Sequence, residues 1–226
     1  MTMTDTHRKY IKYIPALRFG WLTPLYNPLV RWTMREAVFK PTLVEQAHIQ
    51  PGHHVLDLGC GTATLTILIK QRHPEAQVIG LDGDPTVLAL ARTKLADAEV
   101  TIPLDQGLAF ELPYPSQVFD RILTSLLLHH LTRDDKRRTL REAFRVLRPG
   151  GELHIADFGP PHHAGMAAVS WIVRWLEEAG DNMKGLLPDL VREAGFKAVE
   201  ETAHYSTAFG TLSLLKAVKP RSSESV

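Results

Sequence analysis

The stretch VLDLGCGTATL, Val55 to Leu65, sets Asp57 inside an apolar run and follows it with Gly59, Cys60 and Gly61. A strand that only fills a core has no use for a carboxylate there. Glycines at the end of such a strand let backbone approach a ligand where any Cβ would obstruct it. A tight turn is the plainer account of a glycine pair, but the next apolar run, AQVIGLD, also ends in a carboxylate, Asp82. About twenty residues on, a carboxylate in that place can accept from both hydroxyls of a ribose. A dinucleotide site would want a third glycine where Thr64 stands, and an anionic Asp57 would repel a pyrophosphate. The pattern points to a ligand with a ribose and a positive charge but no phosphate.

Groups able to move a proton lie where later apolar runs end. His129 and His130 follow ILTSLLL, Asp157 closes the run ELHIADF, and His162 and His163 lie just beyond. Each has a structural reading beside the catalytic one: a packing or hydrogen-bonding histidine, a carboxylate that satisfies loop N–H groups, solvated loop residues. A metal site is not expected. The eleven histidines include three adjacent pairs, but neighbours on a strand point to opposite faces, so His53 and His54 cannot chelate one ion. Neither H-E-x-x-H nor C-x-x-C spacing occurs. Cys60 has no basic neighbour to activate it and reads as a small loop filler.

These residues need a frame to bring them together. HVLDLG, AQVIGLD, EVTIPL, FDRILTSL and GELHIADF read as strands. TATLTILIKQRH, DPTVLALARTKLADA and RDDKRRTLREAFRVL read as helices between them, the last stopped by RPGG. Strands alternating with helices of this length predict an α/β fold: a doubly wound, seven-stranded, mostly parallel sheet covered on both faces. KAVEETAHY and FGTLSLLKAVK are joined by too little chain for a helix, which predicts one antiparallel edge hairpin. Residues 1–50 read as a helical cap, 51–219 as the ligand-binding domain and 220–226 as a polar, disordered tail.

The composition narrows the function. With 26 Lys plus Arg against 25 Asp plus Glu, no general affinity for nucleic acid is expected. No window is long and apolar enough to span a bilayer or to act as a signal peptide, and a single cysteine suits a reducing compartment. A cytoplasmic location is expected.

S-adenosylmethionine combines a ribose and an ammonium without phosphate, and here the chain resembles a known family. VLDLGCGTATL is similar to the first motif of class I S-adenosylmethionine-dependent methyltransferases and VIGLDGDPTVLALAR to the second. LAFELPYPSQVFDRILTSLLLHHL resembles the third and fourth blocks, and EAFRVLRPGGELHIADF the block that ends strand five. The resemblance spans roughly Gly52 to Phe158 and is nearest the small-molecule branch with the ubiquinone/menaquinone biosynthesis C-methyltransferases. It implies a Rossmann-like fold, S-adenosylmethionine as cofactor and S-adenosylhomocysteine as product. It implies that Asp57, Gly59 and Gly61, with Cys60 between them, line the methionine end, that Asp82 holds the ribose hydroxyls and that Gly83 lies beside the adenosine. Ala109 would give its N–H to adenine, and Ser125 would face the methionine part. Ala63 replaces a customary glycine, a change of little expected cost. Leu108 stands where the family carries an aspartate for the adenine amino group.

The implied activity is methyl transfer to a small, apolar or aromatic acceptor. His129, His130 and Asp157 are the candidates for acid–base work. Tyr26, in the aromatic N-terminal segment, is the first candidate to close over the cofactor, and Trp171, Ile172, Trp175 and Leu176 are candidates to line an apolar acceptor pocket. A catalytically inactive cofactor-binding sensor or partner subunit is the alternative. A nicotinamide oxidoreductase is disfavoured by Thr64 and Asp57.

Overall fold

Short apolar runs become the strands of one sheet. The computed structural model describes residues 36–161, 180–208 and 210–221. Strands β1 (His54–Leu58), β2 (Gln77–Asp82), β3 (Leu104–Gln106), β4 (Phe119–Ser125) and β5 (Leu147–Phe158) run parallel in the order β3-β2-β1-β4-β5. Beyond β5 lie β7 (Gly210–Val218) and then β6 (Lys197–Thr207), and β7 is antiparallel to both its neighbours. The result is the seven-stranded, doubly wound sheet with its antiparallel edge hairpin. β1 sits between β2 and β4, so the strand order reverses there and a crevice opens beyond the carboxyl ends of these strands.

Alternation along each strand supplies two cores. Val55, Val78, Leu123, Ala156 and Leu214 pack on one face against α1 (Glu36–Gln46), α2 (Thr64–Arg72) and α3 (Pro85–Asp97), through Phe39, Leu43, Ile69 and Ala91. Leu56, Leu58, Leu81, Ile122, Leu153 and Leu215 pack on the other against α4 (Arg133–Val146) and α6 (Leu187–Glu193), through Leu140, Ala143 and Val191. A short α5 (Gly180–Met183) precedes α6. Side chains two apart on a strand share a face, so Asp57 points with Val55 toward α1 and α2.

Several boundaries differ from the sequence reading. The strand expected over EVTIPL forms later, at Leu104–Gln106, because Ile102 turns into the core ahead of Pro103. The sequence RPGG does not follow the end of α4 as a separate terminator but lies within β5, which starts at Leu147 directly after the helix. The helix expected from Thr62 starts at Thr64, because Ala63 has φ 59. The left-handed conformation costs an L residue about 1–2 kcal/mol, so the expectation that Ala63 costs little is corrected. The aromatic N-terminal segment with Tyr26, the residues His162, His163, Trp171, Ile172, Trp175 and Leu176, and residues 222–226 lie outside the described residues. Among the described residues no helix is long and apolar enough to cross a membrane.

The two glycines of the turn after β1 answer different needs. Both have positive φ, 74 at Gly59 and 56 at Gly61. A methyl on Gly59 would come within 2.9 Å of the Leu127 side chain, whereas one on Gly61 would meet none of the described residues within 4 Å. In urea denaturation Gly61→Ala is expected to cost the backbone term alone, about 1–2 kcal/mol. Gly59→Ala is expected to cost about 1–3 kcal/mol more, from overpacking against Leu127.

Candidate functional site

Backbone hydrogen bonds fasten the β1–α2 turn to the end of β2. The N–H groups of Gly59 and Cys60 both donate to the Leu81 carbonyl, at 2.8 and 3.0 Å, and the Gly61 N–H donates to Asp82 Oδ2 at 2.9 Å. The other Asp82 oxygen accepts from the Asp84 N–H at 3.0 Å. Asp84 in turn caps α3, accepting from the N–H of Thr86 at 2.8 Å, with Pro85 opening the helix. A carboxylate accepting two N–H bonds still has free lone pairs for a ligand.

Beyond this turn opens a cavity of about 580 Å³. Its walls come from the ends of four strands: the β1–α2 turn, Asp82 and Gly83, the 107–110 stretch after β3, and Ser125 to Leu127 with His130 after β4. Most of the lining is apolar, through Leu81, Val87, Leu108, Phe110, Leu126 and Leu131, and no arginine is among its described lining residues. Charged side chains enter at separate points: Asp82, Asp135, Lys94, and the Glu36 and Lys40 pair of α1. Such a cavity suits a nucleoside with single charges better than a polyphosphate, which calls for clustered cations and N–H groups.

Gly59, Cys60, Gly61, Asp82, Gly83, Leu108, Ala109 and Ser125 are thus brought together as lining residues, and of the acid–base candidates His130 joins them. Asp57, His129 and Asp157 do not line the cavity. Asp57 is fully buried; Thr66 Oγ1 donates to its Oδ2 at 2.6 Å, while its Oδ1 has no hydrogen-bond partner among the described residues. Burial pushes its pKa up to about 6, against the opposing effects of the Thr66 hydrogen bond and the Lys40 charge. Burial also pushes the Cys60 thiol up, reinforced by Asp57 and Asp82, so Cys60 is no nucleophile.

His129 and Asp157 form a buried clamp. Asp157 Oδ2 accepts from the Leu128 N–H at 2.8 Å, and its Oδ1 accepts from the Phe158 N–H at 2.8 Å and from Asn182 Nδ2 at 3.0 Å. His129 Nδ1 lies 2.9 Å from the same Oδ1. Burial alone would raise the Asp157 pKa, but His129, the Phe158 N–H and the nearby His130 together hold it below the usual carboxylate range. The loop-satisfying reading of Asp157 describes this geometry. The clamp fixes the 3₁₀ turn Leu128–His130, in which the His130 ring lies against His129, tilted by 43° with centroids 3.9 Å apart. Burial and the neighbouring His129 lower the His130 pKa to about 4, so this imidazole is neutral near pH 7.

Sequence reasoning missed Asn182, Lys40, Glu36 and Lys94. Nothing in GDNM marks Asn182, whereas Glu36 and Lys40 stand four apart on a helix, the spacing of an ion pair. Lys94 Nζ donates to Thr64 Oγ1 at 2.5 Å, tying α3 to the start of α2. Among the described residues no group of three or more His, Cys, Asp or Glu could hold a metal ion.

Comparison with known proteins bears on family and fold. Residues 55–151 match the methyltransferase domain family. The chain is 30% identical over 207 residues to the demethylmenaquinone methyltransferase of Symbiobacterium thermophilum, covering 79% of this chain and 80% of that one. It is 28% identical over 235 residues to the demethylmenaquinone methyltransferase of Listeria monocytogenes, covering 92% and 96%. Among solved structures, the [4+2]-cyclase SpnF superposes with a TM-score of 0.71 at 19% identity, covering 88% of this chain and 93% of that one. The S-adenosylmethionine-dependent methyltransferase SibL does so with 0.67 at 23%, covering 92% and 60%. These structures share the fold.

The buried charge of Asp57 has a measurable cost. With its folded pKa near 6 and an unfolded value of 3.8, the native state binds more protons between the two, and stability rises as pH falls through 6. Asp57→Asn is therefore expected to raise the stability of the ligand-free protein at pH 7.5 by about 1–3 kcal/mol. The gain should shrink toward zero by pH 4, as read from thermal midpoints of both proteins across that range.

Proposed function

This chain belongs to the class I S-adenosylmethionine-dependent methyltransferases, related to the menaquinone methyltransferases, and we propose that it methylates a small, apolar or aromatic acceptor held in the cavity beyond β1, β2, β3 and β4. S-adenosylmethionine is its cofactor. The observation that carries the acceptor reading is the cavity wall itself, apolar through Leu126, Leu127 and Leu131, with His130 the one imidazole among its described lining residues. The names of the relatives in Symbiobacterium and Listeria support a quinone-type ring as one such acceptor. A cytoplasmic setting belongs to this reading, since the single cysteine is free and buried.

The residues fit the cofactor. Among the described residues, open space at Gly61, spare lone pairs on Asp82 and the unpartnered Oδ1 of Asp57 suit a ribose joined to a positively charged amino-acid arm. In this reading Gly59, Cys60 and Gly61 face the methionine part, Asp82 takes the ribose hydroxyls and Gly83 lies beside the adenosine. Ala109 offers its N–H to the adenine, Leu108 packs on it, and Ser125 faces the sulfur side. Asp57 acts from behind the turn through its field.

The bound cofactor supplies an electrophilic methyl group on a sulfonium, so the chain's work is to orient the acceptor and exclude water. His130, neutral at pH 7, accepts a hydrogen bond from an acceptor hydroxyl. Its low pKa makes it a poor store for a whole proton. An electron-rich ring carbon, which needs placement rather than full deprotonation, matches that capacity. His129 and Asp157 act as positioning residues that hold the turn bearing His130. Incubation with S-adenosylmethionine and reduced 1,4-naphthoquinone is expected to give a product heavier by one methylene, seen by mass spectrometry, and His130→Ala should cut its rate by about 10- to 100-fold. Cofactor binding without a methylated product from this or other small aromatic acceptors would instead support the sensor.

Leu108 offers a second check. Asp105, three residues earlier, is engaged by the Tyr114 hydroxyl at 2.8 Å and does not line the cavity. Leu108→Asp is expected to tighten S-adenosylhomocysteine binding by about threefold to tenfold, one added hydrogen bond, as measured by calorimetry. A large loss of affinity would contradict the placement of adenine beside Leu108.

A further inference from the structure

Resting on the cofactor placement just proposed, we infer that the Glu36–Lys40 ion pair of α1 is the recognition site for the zwitterionic amino-acid end of the cofactor. The charges along the cavity are unevenly distributed. Asp82 lies on the side of Gly83 and the 107–110 stretch, where the nucleoside would sit. Elsewhere in the wall Glu36 and Lys40 from α1 share a recess with Thr64 and with Lys94 from α3, whose Nζ is bonded to Thr64 Oγ1. Glu36 Oε2 and Lys40 Nζ are 2.7 Å apart, with side chains only 14% and 10% exposed.

An α-amino acid carries one positive and one negative group a few bonds apart. A facing pair of opposite charges is its complement, whereas an apolar or singly charged wall would leave one of the two desolvated and unpaired. Among the described residues the pair has capacity to spare: an ammonium has three donors and a carboxylate about four acceptor sites, and their mutual bond uses one of each. Lys40 therefore donates to the ligand carboxylate and Glu36 accepts from the ligand ammonium. The same lysine is close enough for its charge to act on Asp57, whose Oδ1 lacks a partner among the described residues. The amino-acid arm thus lies where both carboxylates and the ammonium act on it together.

Three ligands separate this from a general effect on the site. S-adenosylhomocysteine carries the full arm, 5′-methylthioadenosine has no amino acid, and the decarboxylated analogue keeps the amine alone. By calorimetry on the full chain, Lys40→Met is expected to weaken S-adenosylhomocysteine about 10-fold or more, the loss of a charged hydrogen bond. It should leave 5′-methylthioadenosine and the decarboxylated analogue within about twofold. Glu36→Gln should weaken both amine-bearing ligands and spare 5′-methylthioadenosine. Retained binding of 5′-methylthioadenosine shows at once that each variant is folded. If Lys40→Met leaves S-adenosylhomocysteine unchanged, or weakens all three ligands alike, the ion pair is not the recognition site even though the cofactor placement stands. If the unaltered chain binds none of the three, the placement and this assignment fall together.

Discussion

A single carbonyl, that of Leu81, accepts hydrogen bonds from two successive N–H groups, Gly59 and Cys60, and the next N–H, Gly61, goes to the adjoining Asp82 carboxylate. To direct three consecutive N–H groups at the end of a neighbouring strand, the chain must leave β1 with left-handed residues at Gly59, Gly61 and Ala63. That conformation sets the start of α2, the width of the crevice above β1 and the distance between the two loops that border it. A ligand that spans from Gly61 to Gly83 therefore meets a gap fixed by main-chain geometry rather than by side-chain rotamers. Ala63 shows that the requirement outweighs local preference, because an L residue is held at φ 59 with its methyl fully buried.

Two buried aspartates at strand ends illustrate how the same residue type serves opposite ends. Asp157, near the end of β5, accepts from two backbone N–H groups, an amide and an imidazole, and is stabilised as an anion. Asp57, within β1, has one donor for two oxygens among the described residues and is driven toward its neutral form by burial. A saturated carboxylate fastens structure, since nothing further can be gained by bringing it a partner. An undersupplied one stores free energy that a cation can release, which is the condition expected of a binding site rather than of a core. Seen this way, the histidine pair after β4 divides in two: His129 belongs to the saturated clamp, and His130 is the face that the clamp presents to the cavity.

Much of the architecture was legible because period and punctuation agree. Alternating apolar residues in VLDL, VIGLD and RILTS place strands, and Thr132 and Asp84 cap helices where their side chains can reach back to N–H groups. The convergence of Asp82, the glycine turn and Ser125 on one cavity was likewise readable, since each lies next to a strand end that the period defines. What escaped depends on distance in the fold. Asn182 reaches Asp157 across 25 positions of sequence, and no local pattern encodes that contact. Asp57 looks the same in sequence whether its carboxylate faces a cavity or a helix; only the strand's alternation, with Val55 toward α1 and α2, decides. The strand at Leu104–Gln106 was misplaced because β-propensity in EVTIPL is strongest just where the chain instead dips into the core at Ile102.

The opposite ends of the same strands complete the physical account. There Asp120 accepts from the His54 N–H at 2.9 Å and pairs with Arg148 at 2.6 Å, and the Arg121 guanidinium donates to the Ala47 carbonyl at 2.6 Å. Glu152 gathers His154 at 3.1 Å, Lys216 at 3.3 Å and Arg121 at 3.6 Å, and these partners overcome burial to hold its pKa at about 2. Charges at this end of the sheet, the amino ends of β1, β4 and β5 and the carboxyl end of β7, therefore neutralise one another across four strands. At the carboxyl ends, among the described residues, Asp57 keeps an oxygen without a partner and Asp82 spends its bonds on backbone alone. Since the same sheet supports both arrangements, the difference does not come from the fold. Pairing the charges at one end gives a stable frame, and that frame tolerates the cost of leaving the other end incomplete for a charged ligand.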